Sequence, residues 1–176
     1  MSDKSSAERF GEVVLPHLAD ALALARWLTG SAVDAEDVVQ DACLKAHRSL
    51  ETYAGGNARA WLLAIVRNAA YAWLAQNHPG RIVAVGDLAD LDALGTCAAT
   101  GSETPETALI AKNDAAALEA AIMALPHAFR EILVLRDVNG LSYREIAAML
   151  HLPLGTVMSR LARARGSLEA EFGGAR

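Results

Sequence analysis

The sequence of 176 residues predicts an all-α chain of two small helical domains joined by a flexible acidic linker, with a helix-turn-helix in the second domain. Three observations predict it. The chain is 53% hydrophobic but only 5% aromatic, and rich in alanine, a balance that favours helices over sheets. Apolar residues recur at helical spacing near both ends. Between them, residues 81–107 lose that period to Gly, Asp, Thr and Ala. The domains are therefore set at 1–80 and 108–176, with the linker at 81–107.

The first residues, 1–7, are polar and fray. A helix is expected over residues 8–28, with Phe10, Val14, Leu18, Leu22, Ala25 and Leu28 on one face. Pro16 bends or restarts it, and Thr29-Gly30 closes it. Asp34 caps a second helix, with Asp37 at its third position. Val38, Val39, Ala42, Cys43, Ala46 and His47 give that helix its buried side. Asp34, Glu36, Asp37, Gln40 and Asp41 leave an acidic, amide-bearing strip. Acids at a helix N-terminus contribute about 0.3–1 kcal/mol each. Asp37 and Asp41 lie one turn apart with no basic partner in view, and such a strip pairs with basic residues of a partner helix. A loop, Thr52-Tyr53-Ala54-Gly55-Gly56-Asn57, leads into a third helix over residues 58–76. There Trp61, Ile65, Asn68 and Ala72 form one row, and Leu62, Val66, Ala69 and Trp73 another. Arg59, Arg67, Asn68, Tyr71 and Trp73 are the parts needed to hold an unstacked strand: guanidinium groups for phosphates, rings for stacking, an amide for a base edge. Tryptophans at helical spacing are more often core. His78-Pro79-Gly80 ends the helix.

The linker carries Asp87, Asp90, Asp92, Glu103 and Glu106, and residues 82–108 hold no Lys or Arg, so this stretch accounts for the whole net charge of −5. A short ordered piece is expected near 85–94. A helix over 109–124 turns Leu118, Ala121 and Ile122 inward. Leu125-Pro126 punctuates it, with Pro126 suited to a first turn. Phe129, Ile132, Leu133 and Leu135 continue, and Asn139-Gly140 stops that helix. Ser142 and Glu145 then form a capping box. Ile146, Ala147 and Leu150 lie on one face. His151-Leu152-Pro153 breaks the pattern, and a second helix starts at about residue 154. Its Val157, Leu161, Ala164 and Leu168 face the core. Thr156, Ser159, Arg160 and Arg163 form an opposite stripe of the side chains that read base edges and clamp phosphates, shaped to fit a major groove. Residues 169–176 fray.

No apolar run approaches a membrane span and no signal core is present, so a cytoplasmic protein without membrane insertion is expected. Cys43 and Cys97 lack metal-type spacing; Cys43 is expected as a small core residue. No phosphate loop, paired metal-spaced histidines or nucleophile elbow occurs. His17, His47, His78, His127 and His151 are scattered and read as surface or capping residues. No catalytic residue, metal or cofactor is expected.

Several runs resemble bacterial RNA polymerase sigma factors of the extracytoplasmic-function (ECF) group. They are Leu125-Pro126, residues 129–137, Gly140-Leu141-Ser142-Tyr143, Glu145-Ile146-Ala147, Gly155-Thr156-Val157, Ser159-Arg160 and Ala164-Arg165. Residues 34–41 resemble the segment that docks on the clamp helices of the polymerase largest subunit. The order Ala-Trp-Leu-x-x-Ile-x-x-Asn from Ala60 to Asn68 resembles the segment that melts and holds the −10 element. The resemblance implies a transcription initiation factor that binds core RNA polymerase and directs it to promoter DNA, under an anti-sigma factor. By the same resemblance Asn57, Arg59, Arg67, Asn68 and Tyr71 serve the −10 strand. Thr156, Ser159, Arg160 and Arg163 serve the −35 duplex, with Arg144 and Arg165 as phosphate contacts. Asp34, Glu36, Asp37, Gln40 and Asp41 serve the polymerase. Met158 departs from the family, which commonly has a basic residue there.

Two other readings compete: a sigma-like decoy that titrates an anti-sigma factor, and a plain helix-turn-helix regulator. A decoy has no use for the basic stripe, and a plain regulator has none for residues 34–41. On the sigma reading, Arg163→Ala costs about 1–3 kcal/mol in promoter discrimination; an unchanged footprint at the upstream element rejects that role.

Overall fold

The fold follows from where the chain can and cannot cap a helix. A computed structural model describes residues 6–79 and 107–173, and the described residues are helical, with no strand. The expected ordered piece at 85–94, the linker acids and Cys97 fall outside them.

The stretch expected as one helix is two. Helix α1 spans Ser6–Val13, a 3₁₀ turn spans Leu15–His17 and carries Pro16, and α2 spans Leu18–Thr29. Pro16 lacks an N–H and disfavours the α conformation at the residue before it, so the helix restarts. Gly30, at φ 77°, closes α2. The buried stripe of α2 is Ala21, Leu24, Ala25 and Leu28. Ala25 and Leu28 are buried as expected, but Ala21 and Leu24 fill the place expected for Leu22, which is 41% exposed.

Helix α3 spans Ala32–Ser49, and its cap is Ser31, whose side chain accepts from the Asp34 N–H; Asp34 lies in the first turn instead of capping it. Ser31 stands in extended backbone at the right distance from a free N–H, and the short hydroxyl wins the position. Val38, Ala42 and Ala46 are buried as expected, while Cys43 is half-buried and His47 exposed against the Phe10 ring. Helix α4 spans Ala58–Asn77, and the Asn57 side chain accepts from the Ala60 N–H to cap it. Its core face is Leu62, Leu63, Val66, Ala69, Ala70 and Leu74. Trp61 is half-buried with its ring 4.8 Å from that of Tyr53, centroid to centroid. Helices α2, α3 and α4 pack on one another as the first part of the molecule.

In the second part, α5 spans Thr107–Ala124 and α6 spans His127–Leu133. Helix α6 continues as a π-helical turn over Val134–Val138, where the Asn139 N–H reaches back to the Val134 carbonyl. Ala121 and Ile122 are buried, but Leu118, expected inward, is 44% exposed. Arg130 explains how α5 ends: its guanidinium donates to the carbonyls of Ile122, Met123 and Leu125. A cation there satisfies the carbonyls left over at a helix C-terminus.

Helix α7 spans Tyr143–Leu150 and α8 spans Leu154–Gly173, so residues 169–173, expected to fray, are helical. Ser142 and Glu145 form the capping box in both directions. His151 ends α7 at φ 53°, in the left-handed region. His17 and His78 likewise stand at helix ends. Ile146, Val157, Leu161 and Ala164 are buried between α7, α8 and the rest of the second part. One buried apolar cluster runs through both parts. Replacing Ser142 by Ala leaves the first N–H groups of α7 without their acceptor and is expected to cost about 1 kcal/mol, read as a lower urea midpoint with an unchanged slope.

Candidate nucleic-acid interface

Helix α8 owes its two faces to its buried row. With Val157, Leu161 and Ala164 turned inward, Met158, Ser159, Ala162 and Arg163 are exposed. Thr156 and Arg160 are half-buried at the edge of that surface. The Ser159 hydroxyl donates back to the Thr156 carbonyl, 3.1 Å away. Met158, at 50% exposure, puts an apolar thioether into this surface. Arg144 is exposed on α7. Arg165 is engaged: its guanidinium makes two hydrogen bonds to the Asp137 carboxylate, at 2.5 and 3.1 Å. That bond holds its pKa above the ordinary arginine value. To grip a phosphate, Arg165 has to exchange it for Asp137.

The acidic strip lies on α3, with Glu36, Asp37, Gln40 and Asp41 exposed and Asp34 half-buried. Asp41 does have a basic neighbour, contrary to expectation. Lys45, one turn on, is 2.6 Å away. The i, i+4 partner lies just outside the acidic run 34–41. Such an exposed helical pair is worth a few tenths of a kcal/mol, so it leaves the strip free to exchange partners. Asp37, Asp41 and Lys45 line a cleft of about 280 Å³, whose other wall is Ala69, Trp73 and Gln76 of α4.

Residues expected to hold single-stranded DNA split into two groups. Asn68 is exposed on α4. Asn57, Arg67 and Tyr71 instead face the second part of the chain, and Arg59 is held by α2 beside it. The Asn57 amide donates to the Glu145 carboxylate on α7. Arg59 lies 2.7 Å from Asp20 on α2, and its guanidinium lies against Gly140. Arg67 Nε donates to Glu131 on α6 at 2.5 Å, and its guanidinium sits 4.8 Å from the Tyr71 ring centroid. Tyr71 stands beside the Glu131 carboxylate and near the His127 ring.

Sequence reasoning missed Glu131. It is buried, and burial pushes its pKa up while Arg67 opposes the shift; Arg160 of α8 acts on the same carboxylate. Burial pushes the Tyr71 hydroxyl up, and the Glu131 charge adds to it. Burial lowers the pKa of Arg160, with Glu131 opposing. Asp20 and Asn139 were missed as well: buried Asn139 donates to the Asp20 carbonyl at 3.0 Å. The one signal available was Arg130-Glu131, two adjacent charges inside the apolar run 129–135.

A capped pair of helices with hydroxyls and guanidinium groups on its outer face defines a helix-turn-helix protein. Comparison with known proteins narrows the class. Residues 13–79 match the family model of sigma-70 region 2, and residues 115–168 that of sigma-70 region 4. The chain is 35% identical to the RNA polymerase sigma-H factor of Pseudomonas aeruginosa, over 91% of this chain and 84% of that one. It is 34% identical to the ECF RNA polymerase sigma-E factor of Escherichia coli, over 77% of this chain and 72% of that one. The fold resembles the sigma factor RpoE of Bartonella quintana, solved with the anti-sigma factor NepR. That likeness has a TM-score of 0.70 and 27% identity, and covers 95% of this chain and 98% of that one. The chain belongs to the sigma-70 family of RNA polymerase sigma factors, in its ECF group. Members of this family are transcription initiation factors and not catalytic enzymes. Among the described residues, no helix is long and apolar enough to cross a membrane.

Glu145 gives this interface a dependence on acid. The Ser142 backbone N–H, 2.7 Å from its carboxylate, and the Ser142 side chain hold its pKa below the ordinary carboxylate value, and Asn57 adds to the effect. A lowered folded-state pKa means stability that is present above the unfolded value and lost as pH falls through the folded one. Glu145→Gln is therefore expected to lower the urea midpoint at about pH 7, with the gap to wild type narrowing as pH is brought down towards about 3.

Proposed function

We propose that this chain binds core RNA polymerase and directs it to promoters, with the two parts of the molecule dividing the work. Residues 1–80 dock on the polymerase and hold the −10 element, 81–107 tether, and 108–176 read the −35 element. Asp34, Glu36, Asp37, Gln40 and Asp41 offer carboxylates and an amide to basic residues of a polymerase helix. Thr156, Ser159, Arg160 and Arg163 read the −35 duplex from the major groove, with Arg144 and Arg165 on its phosphates. Asn57, Arg59, Arg67, Asn68 and Tyr71 hold the −10 strand after it opens, by phosphate pairing, stacking and an amide on a base edge. The observation that carries this reading is the match to both sigma regions in order along one chain.

The charge balance fits the division. A chain of net charge −5 gains little from counterion release on free DNA, so the polymerase supplies most of the grip and this chain supplies the choice of site. Met158 on the reading face weakens phosphate contact or alters promoter preference. Regulation by an anti-sigma factor is part of the proposal, supported by a structural relative, the sigma factor RpoE of Bartonella quintana, solved with such a partner.

Run-off transcription with purified core polymerase tests the reading against its two rivals. A sigma factor yields specific transcripts; a decoy or a plain regulator yields none with core alone. Asp37→Ala is expected to weaken core binding by about 1.4 kcal/mol, roughly tenfold, while leaving the fold intact. Unchanged affinity removes the α3 strip from the docking surface.

A further inference from the structure

We infer that Arg9 of α1 is a positioning residue for the −10 strand: it fixes the loop 53–56 in the shape against which an unstacked base is held. The inference rests on the −10 assignment proposed above and adds to it a helix that the assignment does not use.

The loop has little of its own to keep a shape. Gly55 and Gly56 both stand at positive φ, 93° and 101°. A Cβ on either would meet nothing within 4 Å, so the backbone angle, and not crowding, calls for glycine there. Glycine loses more conformational freedom on ordering than any other residue. A loop with two of them in a row, left to itself, has to be ordered by the DNA it binds, and affinity falls by that cost.

Contacts made through Tyr53 order it in advance. The Arg9 guanidinium donates to the Tyr53 carbonyl at 3.1 Å, across 44 residues of sequence. The Tyr53 hydroxyl donates to the Gly56 carbonyl at 2.8 Å and closes the loop on itself. The Tyr53 ring rests by Trp61 of α4, 4.8 Å between centroids. At the far end, the Asn57 side chain accepts from the Ala60 N–H and ties the loop to α4. Ala54, Gly55, Gly56 and Asn57 remain exposed. The result is a fixed ledge, bare of large side chains, that ends on the Asn57 amide. A base pulled from its stack needs a surface of this kind, flat to approach and with an amide within reach.

Helix α1 is seated without Arg9. Val14, just after it, is fully buried, and Phe10 packs on the core with its ring 5.6 Å from that of His47. Arg9 itself is exposed. Its bond to the loop has a charged donor, and such bonds are stronger than neutral ones. Removing it leaves α1 anchored by its apolar side and releases the loop.

Holoenzyme made from core polymerase and the full chain, titrated with a single-stranded oligonucleotide carrying the −10 element of a promoter it transcribes, tests the role. Arg9→Ala should weaken this binding about fivefold, the weight of one hydrogen bond, with circular dichroism, core affinity and the upstream footprint unchanged. Arg9→Lys, which keeps a charged donor, should restore part of the loss. Tyr53→Phe, which keeps the ring and removes the hydroxyl from Gly56, should also weaken binding. Oligonucleotides made abasic at one position at a time give a readout that general loosening of the fold does not. At the position the loop holds, the loss caused by the missing base should shrink in Arg9→Ala. Unchanged affinity in Arg9→Ala overturns the role of Arg9, as does a loss matched in core affinity, or abasic losses that add to that of Arg9→Ala at every position. Wild-type holoenzyme that transcribes yet does not bind the oligonucleotide removes the −10 assignment itself.

Discussion

A buried carboxylate has to find donors, and Glu131 finds them on both sides of a seam: Arg67 and Tyr71 from α4 of the first part, with the charge of Arg160 from α8 of the second. Everything distinctive about the arrangement of the two parts passes through this neighbourhood. Its neighbour in sequence, Arg130, ends α5 by donating to its last carbonyls and reaches Trp27 of α2. Two adjacent residues thus fix where α6 sits against α5, α2 and α4. Because such a pair is costly to desolvate, it favours one register of the two parts more than it adds to net stability.

The two helical units are built on different local rules. In the first, the small residues Ala35, Ala42 and Ala46 of α3 pack with the leucines of α2 and α4, which lets three helices approach closely. In the second, the capping box at Ser142 and Glu145 sets where α7 begins, and the left-handed His151 sets where it ends. The direction of α8 follows, and with it which side chains face outward. Glu145 also serves the seam through Asn57, so one carboxylate positions the helix-turn-helix and contacts the residue that caps α4.

Much of the fold was legible in the sequence because caps and periods are local. Ser142, Glu145 and Gly30 act within four residues, and the core row of α8 was read from spacing alone. The errors are also physical. Ser31 capped α3 in place of Asp34 because a hydroxyl and a carboxylate compete for one N–H, and sequence spacing does not decide between them. Leu22 and Leu118 were placed inward because they are apolar, yet each falls just off the stripe its partners define. The seam was not legible. Periodicity names a face but not what covers it, and a carboxylate at 131 meets an arginine at 67 only once both helices are folded and docked. For the proposed site, the sequence nominates candidates by residue type and spacing, but spacing does not reveal that Arg67, Tyr71 and Asn57 are occupied from the other half of the chain.

The central claim is that two helical modules on one chain address different places on a promoter once polymerase holds them apart. Tethered hydroxyl-radical cleavage tests it most directly, with an iron chelate on Thr52→Cys in one preparation and on Met158→Cys in another, each in holoenzyme on a promoter it transcribes. The account predicts two separate clusters of cuts about 25 base pairs apart, the Met158 probe upstream. Cuts from both probes at one position, or none from the Met158 probe near the upstream element, would contradict it.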